Sequence, residues 1–194
     1  MAVLNGLIVP FQLWNDHVLR LGRAISIVLI GLMVLAILIQ VFWRYVLSNP
    51  LAWPDEAARF CMLWLTGLIA PMAYRRGGFV AIDMVSQLMP RQMANILALF
   101  LLAISGFVLA VAIPIGYAEN TGFSAKFATA SLYYPTGDGW EKVPRWWMSS
   151  SLFVGVILLM IVNIELILRT LVSMFGGAET LRPIPGSGDE VGAE

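Results

Sequence analysis

Two groups of residues in this 194-residue chain have the types and spacing to do chemistry. The first is Asp55, Glu56 and Arg59, with Gln40 and Arg44 a short way upstream. Asp55 and Arg59 are four apart, as are Gln40 and Arg44, so each pair falls on one helical face. Three readings fit this group: a helix cap with pairing at a membrane interface, a polar socket for a partner subunit, or a substrate or ion site. The second group is Asn163, Glu165 and Arg169. An ionisable residue inside an apolar run is a functional hypothesis by default. Glu165, however, lies about a turn from the edge of its run, and Arg169 is placed to neutralise it. That favours a structural or assembly role. Neither group falls in the middle of an apolar run, where transporters bind substrate between broken helices.

Other chemistry is sparse. His17 is the only histidine, which excludes paired axial histidines for haem within the chain. Cys61 is the only cysteine, so no intrachain disulfide can form. No HExxH, GxxxxGK or GxSxG motif occurs. The expectation is a protein with no catalytic residue, no metal ligand set and no cofactor.

The elements that position these groups follow from composition. The chain is 59% hydrophobic and 12% charged, with a mean hydropathy of +0.82. Soluble domains carry about 25% charged residues, so this chain cannot clothe a water-facing surface. The formal net charge is zero, and the 12 basic residues form no patch that could follow a nucleic-acid backbone.

Four apolar runs are long enough to cross a bilayer. The first covers about 24–46 and ends in Phe42, Trp43, Arg44 and Tyr45, an interfacial composition. Arg44 there can snorkel to the headgroups or contact the next helix. Ser48, Asn49 and Pro50 make a tight break. The second run begins at Pro54, with Asp55 and Glu56 in the first turn, where the helix dipole favours negative charge. Its uncharged part, 60–74, covers only about 22 Å. Pro71 predicts a bend, and Thr66 with Gly67 opens the helix to close approach. Arg75, Arg76, Gly77 and Gly78 close it. The third run covers about 93–115, with Pro114 and Gly116 marking a kink or an exit. The fourth covers about 147–168.

Between spans two and three, 79–89 places Asp83, Ser86 and Gln87 on one side of an otherwise apolar stretch, which predicts a short helix lying in the interface. The predicted fold is therefore an all-α integral membrane protein, with four transmembrane helices plus this short interfacial helix. Residues 1–23 read as an N-terminal cytoplasmic or interfacial segment broken by Gly6 and Pro10. Residues 24–176 form the membrane domain and 177–194 a flexible tail. The interval 117–145 reads as an outer loop, with a turn or two of helix near 124–130. Its Phe123, Phe127, Tyr133, Tyr134 and Trp140 argue for an ordered, functional loop. An even number of spans puts both termini on one side. That side receives Arg20, Arg23, Arg75, Arg76, Arg91, Arg169 and Arg182, and the other receives Arg44, Arg59, Lys126, Lys142 and Arg145. The bias places the termini in the cytoplasm.

Four spans without a central polar site, and without an internal repeat, read as part of a larger assembly. Three stretches in fixed order carry a family resemblance: FWRYVLSNPLAWPDEAARFCMLWL, then GLIAPMAYRRGGFVAIDMV, then the outer loop with the fourth span. In them Arg44 and Tyr45 end helix one. Trp53, Asp55, Glu56 and Arg59 open helix two, and Arg75, Arg76, Gly77, Gly78 and Asp83 follow it. The chain thus resembles the small membrane subunit of a TRAP (tripartite ATP-independent periplasmic) transporter. Phe79 stands where the family's basic-Gly segment often has His, and the outer loop is longer than in its commonest members.

The resemblance implies a non-enzymatic scaffold subunit in a bacterial inner membrane. Its expected partners are a large multi-span transporter subunit, a periplasmic solute-binding protein and membrane lipid. In such a system the large subunit moves an organic anion, usually a carboxylate, with sodium. The candidate contact residues are then Gln40, Arg44, Trp53, Asp55, Glu56, Arg59, Arg75, Arg76, Asp83, Glu165 and Arg169. The other classes open to the sequence are the membrane anchor of a redox enzyme and a small self-assembling permease.

Overall fold

A computed structural model describes residues 2–77, 90–136 and 139–174. Among these, four helices are long and apolar enough to cross a membrane. They are α1 (Ala2–Tyr45), α2 (Trp53–Arg75), α3 (Arg91–Thr121) and α4 (Trp146–Met174). Between α3 and α4 come a 3-10 turn (Phe123–Lys126) and two antiparallel strands, β1 (Ala128–Thr136) and β2 (Gly139–Pro144). The protein is a multi-pass, predominantly helical membrane protein. The interfacial helix expected over 79–89, the residue Asp83 within it, and the tail from 177 lie outside the described residues.

Three expectations change. First, α1 does not break at Gly6 or Pro10: it runs for 44 residues with Pro10 inside it. At 1.5 Å per residue that is about 66 Å, roughly twice a hydrocarbon core. The lost hydrogen bond at Pro10 is outweighed by the packing of the turns that follow, where Gln12, Asn15 and Leu19 are buried on one face. Second, α3 does not end at Pro114 or Gly116; it continues to Thr121. Third, the outer interval is not a loop with a helical turn. It is a hairpin, with Tyr133 opposite Lys142, Tyr134 opposite Glu141 and Pro135 opposite Trp140. The ladder is irregular between Ala128 and Tyr133.

The predicted end of α2 holds. Gly77 follows the last turn at φ 92°, the left-handed position that terminates helices and that glycine adopts without steric cost.

The contacts divide the chain into two compact units. One gathers Met1–Arg20, Ala70–Val111 and Ile157–Glu194; the other gathers Leu21–Ile69 and Ala112–Val156. The first is centred on buried Val162, Asn163, Glu165 and Val172 of α4, together with Asn15, Leu19, Pro71, Arg75 and Leu102. The second is knit by small residues. A Cβ on Gly67 would fall 2.3 Å from the Ser151 carbonyl oxygen, and one on Gly155 would fall 2.9 Å from the Gly67 Cα. Here α2 and α4 touch backbone to backbone, the close approach that small residues allow in membranes. Trp64 Nε1 donates to the Trp147 carbonyl at 3.2 Å beside this contact.

Within the apolar window of each helix, 33% of α4 is buried but only 11% of α1 and 6% of α3. Thus α4 is the packing axis, while α1 and α3 turn most of their apolar surface outward.

Candidate functional site

The first unit holds a charged cluster built by three chain segments. Asn15 and Asp16 are neighbours on α1 and so point about 100° apart. Asn15 Nδ2 donates to Glu165 Oε2 at 2.6 Å. Asp16 Oδ1 accepts from Arg75 Nη1. Arg75 Nη2 donates to Glu165 Oε1 at 2.8 Å. Arg169 Nε reaches that same oxygen at 2.9 Å from one turn further along α4. Two carboxylates and two guanidinium groups thus sum to zero charge.

Local structure favours each placement. Arg75 occupies the last turn of α2, where the helix dipole attracts a cation. Glu165 precedes Arg169 by four, the better orientation for such a pair. Glu165 is fully buried and Arg75 is 5% exposed. Removing charges from water costs several kcal/mol per ion unless partners and hydrogen bonds replace it. The cluster supplies those partners.

A neutral polar layer adjoins it. Tyr74, next to Arg75, places its hydroxyl 2.8 Å from Asn163 Oδ1 and 3.1 Å from the Ser105 hydroxyl. Asn163 Nδ2 donates to the Leu102 carbonyl at 3.2 Å. Asn163 can lie so close to α3 because Gly106 has no side chain; a Cβ there would meet Nδ2 at 2.7 Å.

The second unit has its own polar clasp. The Glu56 carboxylate accepts from the backbone N–H groups of Ala130 at 2.9 Å and Ser131 at 2.5 Å. The Ser131 hydroxyl lies 2.6 Å from it and 3.0 Å from the Ala52 carbonyl. Glu56 therefore fastens β1 to the start of α2. Replacing Glu56 by Ala leaves two strand N–H groups without this acceptor, a loss of about 1–3 kcal/mol. The expected result is faster protease cleavage within 127–145, by about tenfold for each 1.4 kcal/mol, with α1 to α4 still resistant. Unchanged cleavage would show that the clasp does not hold the hairpin.

The sequence candidates separate accordingly. Glu165, Arg169 and Arg75 meet in one cluster, and Glu56 holds the hairpin. Asp55, Arg59, Arg44 and Trp53 are exposed, and Gln40 is half-buried. The ion pairs found among the described residues do not include Asp55 with Arg59. Arg44 lies 5.8 Å from the ring of Tyr45 rather than in a carboxylate pair. Arg76 is exposed just past α2. Asn15, Asp16, Tyr74 and Ser105 escaped the sequence reading. A signal was present: Gln12, Asn15, Asp16 and Leu19 recur at three- and four-residue steps, which puts polar groups on one face of an apolar helix.

The cluster offers no nucleophile poised beside a base, and no group of three or more metal-ligating side chains occurs among the described residues. Its evident capacity is to hold three segments together at no net charge.

Comparison with known proteins agrees with this. A sequence model described as tripartite ATP-independent periplasmic transporters, DctQ component, matches residues 33–173. No curated protein matches the chain. Proteins of this family are transport components rather than enzymes, within systems that also use a large membrane subunit and a periplasmic solute-binding protein. The match takes in the end of α1, all of α2 and α3, the hairpin and nearly all of α4, and the chain belongs to the DctQ family of TRAP transporter small subunits.

Proposed function

We propose that this chain is the static scaffold subunit of a sodium-coupled, binding-protein-dependent secondary transporter that imports an organic anion, probably none other than a carboxylate class being suited to the family pattern. In this reading the large membrane subunit carries solute and sodium, and the small subunit braces it. One observation carries the reading: the buried charges of the first unit neutralise one another. Asp16, Arg75, Glu165 and Arg169 are engaged in mutual pairs, so they serve as a strut rather than a site that must bind and release an ion. The outward apolar surfaces of α1 and α3 supply the contact area that a larger membrane partner needs. Exposed Arg44, Trp53, Asp55 and Arg59 lie where such a partner can reach them, and the arginine bias places both termini in the cytoplasm.

The test is co-purification and uptake. A tagged chain is expected to retain a much larger membrane subunit through solubilisation, and deleting it should abolish uptake of labelled organic acids. A reporter fused after Glu194 should be active on the cytoplasmic side. Accumulation of those acids in vesicles that contain this chain alone would overturn the proposal.

A further inference from the structure

The hairpin has two unlike faces. Residues directly opposite one another in an antiparallel ladder share a face. Tyr133 pairs with Lys142 and Pro135 with Trp140, so these four lie together. Tyr134 and Glu141 lie on the other face. That second face is occupied: the Tyr134 ring is 5.7 Å from Trp147 of α4, its hydroxyl lies 3.0 Å from Glu141, and Val143 is buried. The first face is bare. Tyr133 is 51% and Trp140 is 74% exposed. The Lys142 ammonium lies 5.8 Å from the Tyr133 ring. A groove of about 890 Å³ runs beside this face, lined by Trp53, Leu132, Tyr133 and Trp140 among others.

We propose that this bare face lies in the headgroup layer of the bilayer, with Tyr133 and Trp140 at the depth of the glycerol esters and Lys142 on lipid phosphate. Position supports it. The hairpin joins the end of α3 to the start of α4, and its packed face rests on Trp147, the second residue of α4. The sheet is therefore held within a side chain's length of the end of a span. Composition supports it as well. Tryptophan and tyrosine with a basic residue are the residues that settle at membrane–water boundaries. The one carboxylate of β2, Glu141, is turned to the opposite face, which leaves a cation alone to meet phosphodiesters. A protein partner would also cover aromatics, but lysine is depleted in the cores of protein interfaces. Exposed Trp53, Phe127 and Trp146 continue the belt around the same ends.

The test uses the full chain in vesicles of phosphatidylethanolamine and phosphatidylglycerol. Cys61 is the only cysteine, so a Cys61→Ala background carries a single spin label at Tyr133→Cys or Glu141→Cys. The label at 133 is expected to collide more with dissolved oxygen than with an aqueous nickel chelate, and the label at 141 less so. A label at 133 as open to the chelate as a soluble loop would overturn the proposal. So would one that becomes shielded only when a periplasmic binding protein is added. A second measurement avoids the labelled variants. Lipids brominated near the glycerol should quench the native chain more than Trp140→Phe, and equal quenching would overturn the proposal. Neither readout depends on transport, so the scaffold reading and this one can fail separately.

Discussion

Replacing Arg75 by leucine is expected to cost about 3–5 kcal/mol, the usual penalty for removing one partner of a buried ion pair. The loss leaves Asp16 without its guanidinium and takes one of two arginines from the fully buried Glu165. It should appear as a lowered thermal midpoint in detergent and a reduced yield of monodisperse protein. The sign of the charge decides the rescue. Adding Asp16→Asn to Arg75→Leu returns the cluster to zero charge, because Arg169 still faces Glu165. The double variant should therefore regain much of the lost stability. A loss below about 1 kcal/mol in the single variant would place the cluster among solvated surface pairs.

Gly67 carries the second large effect. A methyl group there would lie 2.3 Å from the Ser151 carbonyl oxygen, and that atom belongs to a helix backbone that cannot turn aside. The helices must part, which also strains the Gly155 contact and the Trp64–Trp147 hydrogen bond. Gly67→Ala should cost about 1–3 kcal/mol and Gly67→Val more. Gly31 is the control, since nothing lies within 4 Å of a Cβ placed on it. Gly31→Ala should be neutral, or stabilising by up to about 1 kcal/mol through helix propensity. Equal thermal midpoints for Gly67→Ala and Gly31→Ala would show that the α2–α4 contact is looser than described.

These two glycines also show what a sequence can disclose. Both sit inside apolar helical runs, and nothing local distinguishes the one pressed against a backbone from the one facing outward. The spans themselves were legible because crossing a bilayer demands length and apolarity, both of which are local properties. The start of α2 was legible from Pro54, Asp55 and Glu56, and its end from Gly77. Glu165 with Arg169 was legible because a helix fixes the four-residue step. Arg75 was not, because its partners lie 59 and 90 positions away. Sequence reading took it for a cation leaving the membrane. The hairpin was half written. Gly137 and Asp138 form a two-residue connection between runs rich in tyrosine and tryptophan, a known hairpin signal. What the runs lack is a regular alternation. Their acceptor is also remote, since Glu56 lies 74 residues before Ala130.

That remoteness bears on how the chain is threaded. Glu56 is synthesised before α2 and α3 are complete, and it can meet β1 only after both have crossed the bilayer in opposite senses. A chain in which either crossing failed would leave the carboxylate and the strand on different sides of the lipid. The closed clasp is thus a built-in record of correct insertion, legible to any protease that samples the exterior.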